Sequence, residues 1–182
     1  MRRIAAAVAL VAAIAALAAC SEPGVPGPQA APAVTTDGQA TLVRVVDGDT
    51  IVARIGGSDE RVRLIGIDTP ESVKPGGPVE CFGREASGHL ASLLPQGTPI
   101  RLVGDAEALD RYGRLLAYVY RQPDGLFVNA AMARDGFAAP LTITPNVAHS
   151  AELLEAARRA HAGRRGLWGA CADADTAALR SR

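Results

Sequence analysis

The chain has 182 residues, of which 48% are hydrophobic. This length and composition suit one globular domain with additional segments. Its 19 basic and 19 acidic residues give a formal net charge of +0 at pH 7, which argues against strong long-range attraction to a polyanion.

The first predicted element is an export signal that ends at Cys20. Met1-Arg2-Arg3 is basic, and residues 4–19 are almost entirely Ala, Val, Ile and Leu. This apolar run is shorter than the roughly 20 residues that a membrane span needs, and small residues precede the cysteine, as at a secretory cleavage site. Leu17-Ala18-Ala19-Cys20 resembles a bacterial lipobox. We therefore expect residues 1–20 to be a lipoprotein signal peptide ending at lipidated Cys20; the alternative is an ordinary signal peptide.

The segment after Cys20 is predicted to be a disordered tether. Residues 21–40 contain four prolines and no periodic apolar pattern, so they have little to bury. A lipidated Cys20 would hold the exported protein at the outer face of a bacterial membrane, or in the periplasm, through the lipid alone. Residues 172–182 are predicted to be a flexible tail. The folded domain is therefore expected over residues 41–171.

Five β-strands are predicted within this domain. The first two flank Asp47-Gly48-Asp49, and an Asp-Gly turn between β-rich runs predicts a hairpin in which Gly48 takes a positive φ. Asp47 is expected to be a turn residue only. The five predicted strands are residues 41–46, 50–55, 61–67, 98–103 and 114–121.

Three helices accompany these strands. Apolar residues at helical spacing predict helices over residues 82–94, 128–134 and 148–164. Pro95 ends the first helix, Gly136 the second and Gly166 the third. The order of the elements predicts an α+β protein built on a five-stranded OB-type barrel that carries about three helices.

Two cysteines remain once Cys20 is assigned to the lipid. An exported compartment permits a disulfide between Cys81 and Cys171, which would add about 4–5 kcal/mol in the chain-entropy model. The alternative is two unpaired buried thiols. The chain has no Cys-x-x-Cys motif and three widely spaced histidines, so a zinc site is not expected.

Charged residues occur where strand packing does not require them, at Asp49, Arg63, Asp68, Glu71 and Arg114. Two carboxylates with backbone carbonyls form a hard-oxygen site suited to calcium. Arginine forks match phosphate oxygens, and a further carboxylate near the metal can take a proton from water. Together these groups predict phosphodiester cleavage.

The segments VVDGDTI, RVRLIGIDTPE, FGREAS, DRYGRLLAYVY and GLWG resemble the thermonuclease (staphylococcal-nuclease-like) family over residues 41–171. The resemblance implies an OB barrel with helices and Ca²⁺-dependent hydrolysis of DNA or RNA that leaves 3′-phosphates. It implies a nucleic-acid partner, and nothing in the sequence demands a second subunit, so we expect a monomer. The implied roles are Ca²⁺ binding by the Asp49 and Asp68 carboxylates and the Thr69 carbonyl, general-base catalysis by Glu71, binding of the scissile phosphate by Arg63 and Arg114, and binding of a neighbouring phosphate by Arg111 and Tyr112.

One segment departs from the family pattern. Family members carry aromatic residues after the short helix, whereas residues 138–149 contain none, and we expect Thr142 and Thr144 at the tyrosine positions. Stacking on aromatic rings contributes about 1–3 kcal/mol per base, so their absence weakens nucleic-acid binding. Two alternatives therefore remain: a non-catalytic OB-fold module that binds nucleic acid or protein, and a phosphodiesterase for small nucleotides.

Overall fold

The computed structural model describes residues 38–72, 79–122 and 124–171. The predicted signal peptide with Cys20, residues 21–37 of the tether and the tail at 172–182 lie outside these residues. Among the helices that are described, none combines the length and the hydrophobicity that a membrane span requires.

Five strands close a barrel in the order β1-β2-β3-β6-β5. Neighbouring strands are antiparallel except for β3 and β6, which run parallel. Two very short strands, β4 and β7, pair beside the barrel. The predicted five-stranded barrel with helices is confirmed. The elements are β1 Gly38–Asp47, β2 Thr50–Ile55, β3 Ser58–Leu64, β4 Ile67–Asp68, α1 Gly83–Leu93, β5 Pro99–Val103, β6 Leu115–Arg121, α2 Val128–Asp135, β7 Ala139–Pro140, α3 Ser150–Ala162 and α4 Leu167–Ala170.

The barrel and its helices share one hydrophobic core. Ile51 on β2 and Val62 on β3 are fully buried, and because side chains alternate along a strand, the residues next to them face outward. Leu90 of α1, Met132 of α2 and Leu153 of α3 are equally buried against the same cluster. The three long helices therefore pack against the barrel and contribute to its core.

The first strand begins three residues before the predicted start of the domain. Residues 38–40, assigned to the tether from their composition, form the start of β1 and pair with β5, Gly38 opposite Leu102 and Ala40 opposite Ile100. Ala40 is buried in the barrel core. Small residues carry little strand signal of their own, so this pairing is set by the partner strand.

The predicted third strand is wrong at its end. β3 ends at Leu64, the chain turns at Ile65 and Gly66, and Ile67–Asp68 form a separate strand that pairs with β7. Gly66 has φ 82°, a conformation that favours glycine, and a Cβ there would lie 2.2 Å from Leu153 Cδ1. This break lets Asp68 reach the side chain of Arg63, whereas one regular strand would place the two on opposite faces.

A disulfide joins Cys81 to Cys171, with an S–S distance of 2.10 Å. Cys81 lies just before α1, and Cys171 follows α4. The sequence left this pair either bridged or free, and the structure has the bridge. It ties the end of the described chain to the segment that enters α1.

Candidate active site

Asp49 is fixed in the turn between β1 and β2. Its Oδ1 accepts a hydrogen bond from Thr50 Oγ1 at 3.0 Å, and its Oδ2 accepts bonds from the Thr69 N–H and hydroxyl, both at 3.2 Å. The preceding Gly48 does not have the positive φ predicted for it. A Cβ on Gly48 would lie 2.7 Å from Thr69 Oγ1 and 3.0 Å from Ala86 Cβ, so glycine is required here for close packing.

Asp47 does more than shape the turn, which corrects the prediction. Its buried Oδ1 accepts hydrogen bonds from the Gly48 N–H at 2.8 Å, the Ser72 N–H at 3.3 Å and the Ser72 hydroxyl at 2.6 Å. Ser72 follows Glu71 directly. Asp47 therefore ties the chain beyond Glu71 to the hairpin that carries Asp49.

Arg63 links the two predicted metal-binding carboxylates. Its Nη2 lies 3.0 Å from Asp49 Oδ2 and 3.1 Å from Asp68 Oδ1. Its Nη1 donates to the carbonyls of Leu64 at 2.7 Å and Ile67 at 3.0 Å. Since all three charged side chains are largely shielded from solvent, each needs the opposite charge beside it. The two carboxylates therefore converge on one point.

Glu71 is held through its backbone. Its N–H donates to Glu80 Oε2 at 3.0 Å, and the Glu80 N–H donates to the Glu71 carbonyl at 3.0 Å. The first residue of α1, Gly83, packs so closely that a Cβ there would lie 2.6 Å from the Glu71 carbonyl oxygen. The Glu71 backbone is thus clamped between Glu80 and the start of α1.

Asp110 organises the loop that presents Arg114. Its Oδ1 accepts the N–H groups of Tyr112 and Arg114, both at 2.9 Å, and its Oδ2 accepts Arg114 Nε at 2.6 Å. Burial alone would raise the pKa of Asp110, but these hydrogen bonds and the Arg114 charge hold that pKa below its ordinary value. Asp110 is therefore a charged anchor at neutral pH.

Tyr112 carries two arginines on its ring. The guanidinium of Arg111 lies 4.8 Å from the ring centroid and that of Arg114 lies 5.5 Å from it, within the range of a cation–π contact. Arg111 Nη2 also donates to the Tyr112 hydroxyl at 2.6 Å. Tyr112 is 68% exposed, so this cationic edge faces solvent.

The predicted residues meet in one cleft. A cavity of about 660 Å³ is lined by Asp49, Arg63, Asp68, Thr69, Glu71, Tyr112 and Arg114. A neighbouring cavity of about 740 Å³ is lined by Arg111 and shares Arg63, Tyr112 and Arg114 with the first. The structure therefore brings every predicted metal, base and phosphate residue to two adjoining cavities.

The neighbouring cavity has an aliphatic wall. Leu141 and Ile143 line it, and neither Thr142 nor Thr144 does so. Both threonines are exposed to solvent. That Thr142 and Thr144 occupy the tyrosine positions of the family stays a prediction.

Three residues that line or support the cleft were not predicted from the sequence. Arg61 lines the cavity of about 660 Å³, and its position two residues before Arg63 on a strand could have placed it on the same face. No role in the site was predicted for Asp110. No sequence pattern identifies Glu80, because its hydrogen bond to the Glu71 N–H exists only once the chain has folded.

Comparisons with known proteins identify the family of this chain. A family model described as staphylococcal nuclease homologue matches residues 61–170. A thermonuclease of Staphylococcus intermedius is 40% identical over 143 residues, 78% of this chain and 83% of that protein. A thermonuclease of Staphylococcus hyicus is 36% identical over 127 residues, 70% of this chain and 73% of that protein. The endonuclease YncB of Bacillus subtilis (strain 168) is 39% identical over 98 residues, 54% of this chain and 46% of that protein. With its barrel, its cleft and these relatives, the chain belongs to the staphylococcal nuclease family.

Proposed function

We propose that this protein is a calcium-dependent nuclease that hydrolyses phosphodiester bonds of DNA or RNA and leaves 3′-phosphates. The observation that carries the proposal is the cleft in which Asp49, Asp68, Glu71, Arg63 and Arg114 line one cavity. Relatives named thermonuclease and endonuclease support the same reaction class.

The donor chemistry at Asp49 and Asp68 fits a calcium ion. Both carboxylates reach the same Arg63 nitrogen, at 3.0 and 3.1 Å, and every nearby candidate ligand is an oxygen, as calcium prefers. In the described part of the chain, no group of three or more His, Cys, Asp or Glu side chains could hold a metal ion. The Thr69 carbonyl and water would therefore complete the coordination. A bound ion would supply positive charge to the phosphate oxygens.

Arg63 and Arg114 are the proposed phosphate-binding groups. Arg114 enters from the loop before β6, held at Nε by Asp110, so the terminal nitrogens of its planar fork can bind oxygens. Both terminal nitrogens of Arg63 already contact protein acceptors. Binding of phosphate at Nη2 would require release of a carboxylate, and a cation held by Asp49 and Asp68 would replace the charge that Arg63 withdraws.

Glu71 is the proposed general base. Its side chain lines the same cavity as both arginines, and its backbone is fixed on both sides. A base must hold its position to a fraction of an ångström to take a proton from the attacking water efficiently. The clamp formed by Glu80 and Gly83 supports this role, because it fixes the backbone from which the Glu71 side chain extends.

The test is a calcium-titrated digest of single-stranded DNA and of RNA with the full chain. Activity should rise with calcium and stop with EDTA, and Glu71→Gln should lower kcat by at least about a hundredfold. Glu155→Gln is the matched control, because Glu155 is an exposed residue of α3 that pairs with Arg159. Analysis of the product ends should show 3′-phosphates.

Three results would contradict the proposal. Equal cleavage with and without calcium would remove the metal from the mechanism. Absence of hydrolysis on any nucleic acid, with oligonucleotide binding unchanged by Glu71→Gln, would favour the non-catalytic OB-fold module. Faster turnover of a dinucleotide than of a long strand would favour a phosphodiesterase for small nucleotides, which the aliphatic wall at Leu141 and Ile143 would suit.

We further propose that the protein is exported and held by a lipid on Cys20, as a monomer. The Cys81–Cys171 disulfide supports an oxidising compartment, and the sequence around Cys20 supports the anchor. Fatty-acid labelling of the expressed protein should depend on Cys20. Labelling that persists in Cys20→Ser, or its absence from the native protein, would contradict the anchor.

A further inference from the structure

A row of arginine residues continues from the cleft onto the outer face of the barrel. On β3, Arg61 lies two positions before Arg63 and therefore on the same face. The strand register places Val52 opposite Arg61, and Arg44 opposite Val52. Arg44 and Arg61 are thus aligned across β1, β2 and β3, with about 10 Å between their backbones.

The row also meets Arg114 at its inner end. β3 and β6 are parallel, with Val62 opposite Leu115, and the residues just before this pair are Arg61 and Arg114. Both line the cavity that contains Glu71. Arg114, Arg61 and Arg44 therefore follow one another from the cleavage site outward.

Arg61 differs from Arg63 and Arg114 in having no hydrogen-bond or ion-pair partner among the described residues. Arg63 is bound to two aspartates and Arg114 to one. Within the described residues, the Arg61 side chain makes no hydrogen bond or ion pair, and it is exposed. The charge of this exposed guanidinium is therefore available to a ligand.

The acidic group at the outer end of this face is already neutralised. Both carboxylate oxygens of Asp59 accept hydrogen bonds from Arg54, at 2.8 and 3.2 Å. The hydrogen bond from Arg54 lowers the pKa of Asp59 from its ordinary value, and the Arg44 charge acts in the same direction. Arg44 and Arg61 therefore leave this face with a local positive charge although the chain as a whole has none.

We propose that Arg61 and Arg44 bind successive backbone phosphates of a single-stranded nucleic acid and lead the strand from the cleft across the outer face of β1–β3. A linear row of cations matches a polymer with one charge per nucleotide, whereas a mononucleotide would fill the cleft alone. This inference rests on the proposed nuclease function and names its substrate as a strand that extends beyond the scissile bond.

The test compares binding and cleavage in the full chain. Binding of a fluorescent single-stranded DNA of about ten nucleotides, within the site size of an OB fold, is followed by anisotropy in a Glu71→Gln background. Arg61→Gln and Arg44→Gln should each weaken binding roughly fivefold, as for a solvent-exposed ion pair. Each should also reduce the slope of log K against log salt by about 0.7 between about 50 and 200 mM. Arg61→Lys, which keeps the charge, should retain the slope.

Cleavage separates this inference from the proposed function. With Glu71 restored, Arg44→Gln should raise KM for the long strand and leave a dinucleotide unaffected. Arg158→Gln is the control, since Arg158 is an exposed residue of α3 that lines a different cavity. The proposed binding by Arg61 and Arg44 would be refuted if neither variant changed the slope of log K against log salt. It would also be refuted if Arg44→Gln raised KM equally for the dinucleotide and the long strand. A wild-type protein that cleaves neither substrate would refute the nuclease proposal. The salt dependence of binding would still test whether Arg61 and Arg44 bind phosphates.

Discussion

Glu71 and Glu80 are joined by two reciprocal hydrogen bonds. The Glu71 N–H donates to the Glu80 carboxylate, and the Glu80 N–H donates to the Glu71 carbonyl, both at 3.0 Å. The two residues thereby bring together the ends of the segment between them. The proposed base is thus held by a second acid that is a positioning residue.

Removing the Glu80 carboxylate should loosen Glu71 and leave substrate binding intact. We expect Glu80→Ala to lower kcat about tenfold with little change in KM, because misplacing a catalytic group slows the chemical step. Glu80→Gln retains an acceptor oxygen and should recover most of the rate. Glu85→Ala, an exposed residue of the same region, is the control. Steady-state kinetics on single-stranded DNA measure kcat and KM separately. A change confined to KM would contradict a positioning role for Glu80.

A methyl group at Gly83 should displace the proposed base. The added Cβ would lie 2.6 Å from the Glu71 carbonyl oxygen, so the backbone must shift, and Gly83→Ala should lower kcat severalfold or more. Gly88→Ala on the same helix meets no atom within 4 Å. It should keep full activity and stabilise the helix by up to about 1 kcal/mol. Kinetics and thermal melts of both variants test this prediction. Equal activity of the two variants would show that the contact between Gly83 and the Glu71 carbonyl does not affect catalysis.

The Cys81–Cys171 bridge should supply a large share of the stability. It spans a sequence separation of 90, for which the chain-entropy model gives about 4–5 kcal/mol. The double variant Cys81→Ser/Cys171→Ser should lose that amount of unfolding free energy in urea titration. Reductant should destabilise the wild type similarly and leave the double variant unchanged. Matching midpoints for oxidised and reduced wild type would refute this expectation.

Tyr118 should make the protein sensitive to alkali. Burial raises the pKa of Tyr118 from 10.0 to about 12, and its hydroxyl donates to Asp105 Oδ2 at 3.0 Å. A raised pKa in the folded state gives stability that is complete below pH 10 and is lost as the pH rises towards 12. The loss is on the order of 2 kcal/mol.

Tyr118→Phe isolates this effect. The variant should be less stable at neutral pH by about 1 kcal/mol, the usual cost of a lost hydrogen bond, and its stability should decline less between pH 10 and 12. Urea titrations across this range measure both values. Parallel pH profiles for the wild type and the variant would assign the alkaline loss to other groups.

The barrel was predictable because β-rich runs are separated by turn residues. Ile51 on β2 and Val62 on β3 belong to such runs and are buried inside the barrel. The motif order likewise predicted which residues would share the cleft. The two-residue strands β4 and β7 are too short for any periodicity, so the break after Leu64 could not be seen. Gly66 could be suspected from its identity alone.

The partners of the site residues were less accessible to sequence reasoning. Glu80 and Gly83 contact Glu71 only because the fold brings them to it. Gly83 belongs to the FGREAS segment, but that segment does not indicate the contact. Gly48 was assigned to the right place for the wrong reason, since close contact with Thr69 requires it and its φ does not. Leu141 and Ile143 line the neighbouring cavity, and no periodic pattern in this irregular segment indicates which of its side chains would do so.

The parallel pairing of β3 with β6 has a kinetic consequence. Arg63 lies opposite Leu116 in this pair, and Arg114 stands immediately ahead of β6, so the two arginines approach one another only when these distant strands meet. A refolding chain could form its hairpin and helices early and still be unable to cut. The lag before hydrolysis begins can be compared with the recovery of helical circular dichroism. The difference would measure when β3 pairs with β6 and closes the barrel.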